Sequence, residues 1–212
     1  MTRGLQLVNI WKADTHTFVR WSATSQVLLH QVKINLKAQL FHHLNSRCTH
    51  VAGQGGVKGS VRSVQVMAEQ YAFVARFDIK SYYQGINHRI IMQQLETAQV
   101  SDLDRFLVGQ YLTLPDKHNT GKGLVASGAI SPLLGALYLT PLDSAMVELE
   151  TLLGIRYCRF MDDFVIFAST RHKLRSVLRK MYAVLRMLHL DVHPDKRYIG
   201  KTIKGYDFWA IV

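Results

Sequence analysis

The sequence is poor in the residues that stabilise secreted and membrane-spanning proteins. It has 212 residues but only two cysteines, Cys48 and Cys158, and four prolines. Two cysteines cannot build a disulfide framework, so we expect the protein in the reducing cytoplasm. The longest uncharged stretch, residues 123–142, contains three glycines and two prolines, and its first half reads as a loop. We therefore expect no membrane-spanning helix there.

Acidic residues are also scarce. The chain has 15 aspartates and glutamates against 26 lysines and arginines, which gives a net charge of +11. The basic residues are spread along the chain, a pattern typical of a surface that binds a polyanion, most often nucleic acid. Apolar residues make up 48% of the sequence, so we expect a packed core. The length suits one domain, with or without a small appendage.

Hydrophobic periodicity predicts an α+β fold in which helices pack on one face of an antiparallel sheet. The strand patterns lie at residues 73–79, 155–160 and 164–168, with shorter ones near 190–192, 197–199 and 206–211. Helices are predicted to begin at Asn87, Ser101, Ser131 and Thr170, each with a capping side chain. The helix after Ser131 is expected to kink near Pro141.

The N-terminal part, to about residue 70, carries weaker signals. It reads as irregular and helical, with residues 27–44 as its best helix candidate. The glycine-rich segment 53–59 matches neither a Walker nor a dinucleotide fingerprint. We expect a loop there, either a plain flexible loop or one that contacts phosphate.

The segment Phe160-Met161-Asp162-Asp163 joins two apolar strand patterns. Adjacent carboxylates at the tip of a buried hairpin repel each other, and burial disfavours their charged forms. A divalent cation removes that cost, whereas an acidic pair alone is typical of an ordinary turn. Asp78 ends another apolar strand pattern. Three carboxylates on neighbouring strands would suit hard, oxygen-preferring metal ions, which typically serve phosphoryl transfer.

Five segments, in this order, resemble motifs A to E of reverse transcriptases. They are Phe77-Asp78-Ile79-Lys80-Ser81-Tyr82-Tyr83, residues 123–134, Tyr157-Cys158-Arg159-Phe160-Met161-Asp162-Asp163, His193-Pro194-Asp195-Lys196 and Gly205-Tyr206-Asp207-Phe208-Trp209. The likeness is greatest to bacterial reverse transcriptases of the group II intron and retron type, and it covers about residues 56–212. It implies a polymerase palm over residues 71–212, with a helical insertion at about 87–122. Residues 1–70 would form a reduced, mainly helical fingers region.

The resemblance implies the metal site. Asp78 and Asp162 would bind two Mg²⁺ ions, with Mn²⁺ as a substitute, and the backbone carbonyl of Ile79 would be a further ligand. Asp163 is a catalytic and metal-binding candidate that would support the site from beside it. In such sites one ion lowers the pKa of the primer 3′-hydroxyl and the other neutralises the leaving pyrophosphate.

The resemblance also implies nucleotide contacts. Tyr83 matches the aromatic residue beneath the incoming sugar, where it would exclude a 2′-hydroxyl; the alternative is a tyrosine that serves ordinary core packing. Lys58 and Arg62 are candidates for contacts with the triphosphate. Ser127 and Gly128 stand at nucleotide-contacting positions of motif B.

Two cations and one basic helix have alternative interpretations. Lys196 would lie near the leaving group as a cation or general acid, or would be a solvated lysine of a turn. Arg159 would reach phosphate or pair with an acid. The helix after Thr170 carries basic residues mostly off its apolar stripe, and these form either a functional surface or a solvated face.

Three features depart from the family pattern. Ala126-Ser127-Gly128 stands where the family usually has Gln-Gly, and Phe208-Trp209-Ala210 replaces the Phe-Leu-Gly of motif E. The chain ends at Val212, so we expect no thumb unless a lost segment or a partner chain supplies one.

The sequence therefore predicts an RNA-directed DNA polymerase, a nucleotidyltransferase that adds dNTPs to a DNA or RNA primer on an RNA template. The alternative is a truncated, catalytically weak or inactive relative that binds RNA through its basic surface. A nucleotide cyclase, another palm enzyme, would need a Gly-Gly-Asp-Glu-Phe-like turn, which the sequence lacks.

Substitution of Tyr83 by alanine tests the predicted sugar selection. We expect the ratio of kcat/KM for dNTP over rNTP to fall by about tenfold, because the shorter side chain leaves room for a 2′-hydroxyl. Single-nucleotide incorporation measures this ratio, and Tyr83→Phe, which keeps the ring, is the control. An unchanged ratio in the alanine variant would discard the role.

Overall fold

The computed structural model describes residues 4–204 apart from residues 15, 52 and 127. Its strands and helices follow in chain order as β1 (Leu7–Ala13), β2 (His16–Trp21), α1 (Ala23–Gln39), α2 (Gly56–Gln70), β3 (Phe73–Asp78), α3 (Tyr82–Gly85), α4 (His88–Thr97), α5 (Asp102–Thr113), α6 (Ser131–Tyr138), α7 (Thr140–Leu153), β4 (Arg156–Phe160), β5 (Asp163–Ala168), α8 (Arg171–Met187) and β6 (Tyr198–Lys201). They form two compact units. Unit 1 contains the residues up to 44 with residues 81–138, and unit 2 contains residues 45–80 with those from 139 onward. The assignment of fingers and palm to these segments stays a prediction.

Unit 1 begins with an antiparallel hairpin that the sequence analysis did not predict. β1 pairs with β2, and Trp11 stacks on its cross-strand partner Phe18 with the ring centroids 5.9 Å apart. Aromatic pairs of this kind stabilise two-stranded ribbons. The helix predicted over residues 27–44 is present as α1, which begins and ends earlier in the chain. The hairpin before it contradicts the expected irregular segment, and it was missed because the largely exposed β1 lacks the clean alternation of polar and apolar residues that marks a half-buried strand.

A buried carboxylate joins α1 to α5 in unit 1. Asp104 is 3% exposed, and it accepts hydrogen bonds from Asn35 over 3.1 Å and from Gln39 over 2.7 Å. The Ser101 hydroxyl also donates to this carboxylate and accepts from the Asp104 N–H, so the predicted cap of α5 is confirmed. A buried charge requires such partners. The capping residues therefore also hold two helices together.

Gly128, one of the predicted nucleotide-contacting residues, lies where no side chain fits. An added Cβ would lie 1.5 Å from the Tyr111 Oη and 2.7 Å from the Ser131 Oγ. Ser131 begins α6, as predicted, and its hydroxyl donates to the Val125 carbonyl oxygen. Packing alone thus requires the glycine, and its contact with nucleotide stays a prediction. Ser127 lies outside the described residues.

Unit 2 contains a four-stranded antiparallel sheet in the order β4-β5-β3-β6. The predicted strands at residues 73–79, 155–160 and 164–168 are confirmed as β3, β4 and β5. Residues 190–192 form only an isolated bridge, between Val192 and Ile79. The strand predicted at 197–199 appears as β6, whereas 206–211 and motif E lie outside the described residues. The predicted α+β class is confirmed.

Helices cover both faces of this sheet, because side chains of a strand alternate between its faces. On one face α7 and α8 pack, and Phe77 meets Tyr182 of α8 edge-on with the ring centroids 6.0 Å apart. On the other face Val64 of α2 joins a buried cluster with Val74 and Phe167. The predicted glycine-rich loop therefore gives way to helix at Gly56, and α2 adds a layer that the sequence analysis did not predict.

The helix predicted after Ser131 divides into two. α6 ends at Tyr138, and α7 begins at Thr140 with Pro141 in its first turn. Proline suits this position because the first turn leaves N–H groups without helical partners. The predicted kink is therefore a break. Within the described residues no helix is both long and apolar enough to cross a membrane.

Candidate active site

The register of the sheet in unit 2 brings the predicted acidic residues together. Asp78, the last residue of β3, lies directly opposite Asp163, the first residue of β5. Met161 and Asp162 form the two-residue turn between β4 and β5. The Ile79 N–H donates to the Asp162 carbonyl oxygen over 3.2 Å. Strand pairing thus joins two segments that lie far apart in the sequence.

The loop after α8 closes the same end of the sheet. The His193 N–H donates to the Asp78 carbonyl oxygen over 2.7 Å, and the Lys80 N–H donates to the Asp191 carbonyl oxygen over 2.8 Å. This pairing carries Lys196 to the site, where its Nζ lies 3.5 Å from the Asp78 Oδ2. The Lys196 side chain is 56% exposed, so solvent screens the contact. Its role in the reaction stays a prediction.

Asp162 and Asp78 are coupled electrostatically. Burial raises the pKa of Asp162 above its ordinary value, and the Asp78 carboxylate raises it further. Lys196 and Arg159 lower the pKa of the same group but do not cancel the rise. Carboxylates that repel each other in a poorly solvated place gain from a cation between them. This pair therefore favours a bound cation.

Asp163 is bonded to a different partner. Arg76 donates to both of its carboxylate oxygens, from Nη2 over 2.7 Å and from Nε over 3.3 Å. The Asp163 side chain is only 4% exposed, and that of Arg76 is 16% exposed. Burial raises the pKa of Asp163 to about 6, and the Arg76 guanidinium opposes this rise. The bidentate pair occupies the Asp163 carboxylate, and its catalytic role stays a prediction.

The carboxylate oxygens of Asp78 and Asp162 are donor atoms of the kind that Mg²⁺ prefers. In the part of the chain that the structure describes, no three or more His, Cys, Asp or Glu side chains are arranged to hold a metal ion. Arg76 engages Asp163, which leaves the carboxylates of Asp78 and Asp162 as the candidate ligands. Mg²⁺ binds through one or two carboxylates and keeps water or substrate phosphate as its other ligands, so two carboxylates suffice. The Ile79 carbonyl stays a predicted ligand.

A buried polar network lies beside the Asp162 turn on the α7 side of the sheet. Arg159 and Asp143 are both fully buried, and the Arg159 Nε lies 2.8 Å from the Asp143 Oδ1. The Tyr157 hydroxyl donates to the same carboxylate over 2.8 Å. Burial lowers the pKa of Arg159, but Asp143 more than compensates and raises it above its ordinary value. Arg159 therefore pairs with an acid, one of the two alternatives that the sequence left open.

The other predicted site residues lie elsewhere. Lys58 and Arg62 are exposed on α2, which packs on the sheet face that Asp78 and Asp163 share by alternation. Tyr83 belongs to unit 1, where its ring centroid lies 5.7 Å from that of Tyr82. The nucleotide contacts of all three residues stay predictions.

Three residues that support the acidic turn and strand were not predicted from the sequence. Arg76 lies two positions before Asp78 on β3, so the period of two could have revealed that both share a face. Asp143 had a weaker signal, an acid in the otherwise uncharged first half of α7. His50, whose Nδ1 accepts the Met161 N–H over 3.0 Å, had none, because the contact joins segments far apart in the sequence.

Replacement of Arg76 by methionine tests the buried pair. We expect a loss of about 3 kcal/mol in the free energy of unfolding near pH 8, because the buried Asp163 carboxylate loses its partner. The pKa of Asp163 is already raised to about 6, so its protonated form stabilises the fold at low pH, and this contribution is lost as the pH rises through about 6. Without Arg76 that pKa rises further, so the penalty should shrink near pH 5.

Urea unfolding in metal-free buffer at both pH values measures the difference. Arg175→Met is the control, because Arg175 is exposed on α8 and has no ion-pair partner among the described residues. Equal penalties at the two pH values for Arg76→Met would contradict the interpretation.

Comparison with known proteins places this geometry in a family. Residues 22–206 match the family model described as reverse transcriptase (RNA-dependent DNA polymerase). No curated protein matches the chain. Among solved structures, apo telomerase from Candida tropicalis aligns with a TM-score of 0.63 at 11% identity, over 96% of this chain and 45% of that chain. Telomerase from Candida albicans in complex with a TWJ fragment of telomeric RNA aligns with a TM-score of 0.55 at 12% identity, over 92% and 41%.

These two likenesses show a shared fold, and this chain spans less than half the length of either telomerase chain. The family model covers most of the chain, including the strands and turn that carry Asp78, Asp162 and Asp163, so it shows family membership as well as fold. The chain belongs to the reverse transcriptase (RNA-dependent DNA polymerase) family.

Proposed function

We propose that this chain is the catalytic part of an RNA-directed DNA polymerase, which adds dNTPs to a primer 3′-hydroxyl on an RNA template. The observation that carries the proposal is the electrostatic coupling of Asp78 and Asp162, which lie on separate segments of the chain. Membership of the reverse transcriptase family supports it. Within the family, the motif pattern favours the bacterial group II intron or retron type.

Asp78 and Asp162, together with the Ile79 carbonyl oxygen, would hold two Mg²⁺ ions, with Mn²⁺ as a substitute. Divalent ions bound there would lower the pKa of the primer 3′-hydroxyl and neutralise the charge of the triphosphate. The contribution of the chain itself is to keep two repelling carboxylates close together before any ion binds. The pairing of β3 with β5 makes this arrangement independent of the ligand.

The remaining side chains have proposed roles that follow from their charge or size. Lys196, beside Asp78, would stabilise the charge on the leaving pyrophosphate or donate a proton to it. Asp163, held by Arg76, would add negative charge beside the ions. Lys58 and Arg62 would contact the triphosphate, and Tyr83 would exclude a 2′-hydroxyl.

We propose RNA as the template and a DNA or RNA primer as the acceptor. The net charge of +11 supports a polyanionic partner. One telomerase structure with a similar fold contains a fragment of telomeric RNA. We propose that this chain binds RNA as its template. A thumb from a further segment or from a partner chain would complete the binding of the primer–template duplex.

Substitution of Asp162 by asparagine tests the proposal. We expect primer extension on poly(rA)/oligo(dT) with Mg²⁺ and dTTP to fall by about 100-fold or more, because the amide removes charge where the transition state needs it. Glu148→Gln is the matched control, since Glu148 is an exposed acid on α7 in the same unit. Equal extension by wild type and Asp162→Asn would remove the catalytic assignment.

A second candidate function, RNA binding without catalysis, is supported by the exposed face of α8. Four exposed arginines, which we call the α8 ridge, follow one side of this helix: Arg171, Arg175, Arg179 and Arg186. α8 contains no acidic residue, and none of the four has an ion-pair partner among the described residues. The ridge is about 22 Å long at 1.5 Å per residue. A row of this kind suits a nucleic-acid backbone.

The apolar side of α8 is not available to a membrane. Leu174, Val177, Met181 and Leu185 are buried, and α8 packs against α7 and the sheet. An amphipathic helix that binds lipid must expose that side. The charged face alone remains for a partner, which favours phosphate over lipid.

Charge reversal on the ridge tests this second function. We expect Arg175→Glu/Arg179→Glu to weaken RNA binding and to reduce the slope of log Kd against log salt by about 1.5, because two phosphate contacts are lost. Fluorescence anisotropy with a labelled RNA hairpin measures both quantities. Lys33→Glu/Lys37→Glu on α1 is the control, since it makes the same charge change at the same spacing on exposed residues. Equal effects of the two pairs would contradict a specific ridge.

A further inference from the structure

The residue before Asp162 has an uncommon backbone conformation. Met161 has φ 54, in the left-handed region that non-glycine residues rarely adopt. The turn between β4 and β5 has only two residues, so the conformation of Met161 decides the direction in which Asp162 projects. Residues held in such regions persist only when their surroundings fix them.

Three successive peptide groups around Asp162 are held by hydrogen bonds, two of them from outside the hairpin. The Met161 N–H donates to the His50 Nδ1 over 3.0 Å, and the Met161 carbonyl oxygen accepts from the Arg159 Nη1 over 2.8 Å. The Asp162 carbonyl oxygen accepts from the Ile79 N–H over 3.2 Å. The peptide groups on both sides of Met161, and the one that follows Asp162, are thus each fixed by a hydrogen bond, from His50, Arg159 of β4 and Ile79 respectively.

Arg159, which donates to the Met161 carbonyl oxygen, is itself held by Asp143 of α7. Arg159 is fully buried, and Asp143 binds the opposite side of its guanidinium through Nε and Nη2. Arg159 therefore lies out of reach of a substrate, and it holds the turn through the Met161 carbonyl oxygen. Replacing a buried ion pair with apolar residues is often neutral or stabilising, so stability alone is a weak reason for this pair.

We propose that His50 and the Asp143–Arg159 pair are positioning residues, which direct the Asp162 carboxylate toward Asp78 by holding Met161 in its left-handed conformation. This inference rests on the proposed function of the same site. Without the two hydrogen bonds, methionine favours negative φ, and Asp162 turns away from Asp78. The metal site is then weakened although every proposed ligand is still present.

His50→Ala tests the N–H side of this arrangement. His50 is only half-buried, so the variant should fold. We expect kcat for primer extension with Mg²⁺ to fall by about 10- to 100-fold while KM for dTTP changes little, as for other residues that orient metal ligands. His172→Ala, an exposed histidine on α8, is the control.

A second readout does not depend on catalysis. Electron paramagnetic resonance measures Mn²⁺ binding, and the specific site is the one whose Mn²⁺ signal Asp162→Asn abolishes. The affinity of this site for Mn²⁺ should be about 10- to 100-fold weaker in His50→Ala than in wild type. An inactive wild type that still loses Mn²⁺ affinity on His50→Ala would keep this inference and reject the polymerase proposal. An active wild type with unchanged kcat and Mn²⁺ affinity in His50→Ala would keep the polymerase proposal and reject this inference.

Glycine at position 161 separates positioning from general packing. Glycine adopts positive φ without a steric cost, so Met161→Gly in the His50→Ala background should restore several-fold of the lost Mn²⁺ affinity and kcat. A purely structural role of His50 predicts no restoration.

The Asp143→Leu/Arg159→Met variant tests the carbonyl side with apolar replacements chosen to preserve the fold. We expect it to keep its thermal midpoint and lose Mn²⁺ affinity by a similar factor to His50→Ala. If it folds and retains wild-type Mn²⁺ affinity, the assignment of the buried pair is overturned. If it fails to fold, Met161→Gly in the His50→Ala background decides by the same affinity measurement.

Discussion

The structure of unit 2 depends on holding two carboxylates together against their mutual repulsion. The pairing of β3 with β5 sets Asp78 beside the turn that carries Asp162, and the pKa of Asp162 rises because of burial and of Asp78. Backbone hydrogen bonds supply this arrangement, since a strand register cannot slip by one residue without moving every side chain to the other face. The favourable energy of the ladder and of the packed core offsets the local electrostatic cost.

The rest of the unit limits how the acidic end of the sheet can relax. Arg76 neutralises Asp163, so that the third carboxylate does not add its full charge to the site. The loop after α8 binds the backbone of Asp78 and brings Lys196 close to its carboxylate. On the opposite face, α7 and α8 bury the strands and exclude water. A reverse transcriptase site proposed on these residues is therefore preformed in its protein parts.

Local patterns predicted most elements of unit 2 and the caps, and they failed where stability comes from distant contacts. The hairpin of β4 and β5 was visible because both strands are apolar and short, and Thr170 was visible as a cap because its hydroxyl bonds three residues on. The N-terminal hairpin was not visible, because β1 is largely exposed and lacks alternation. The start of α2 was not predicted, because glycines are typical of loops. The helix forms there because its buried side packs against the sheet.

The sequence by itself determined the chemistry: the acids of the turn and of β3, the surplus of positive charge and the order of the motifs. Those are properties of residue types and of short spacings, so no folded structure is needed to read them. Only the tertiary structure decided which acid is coupled to which, that Arg76 engages Asp163, and that Arg159 is buried against Asp143. These choices join segments far apart in the chain, and burial and register, which no local pattern encodes, determine their energies.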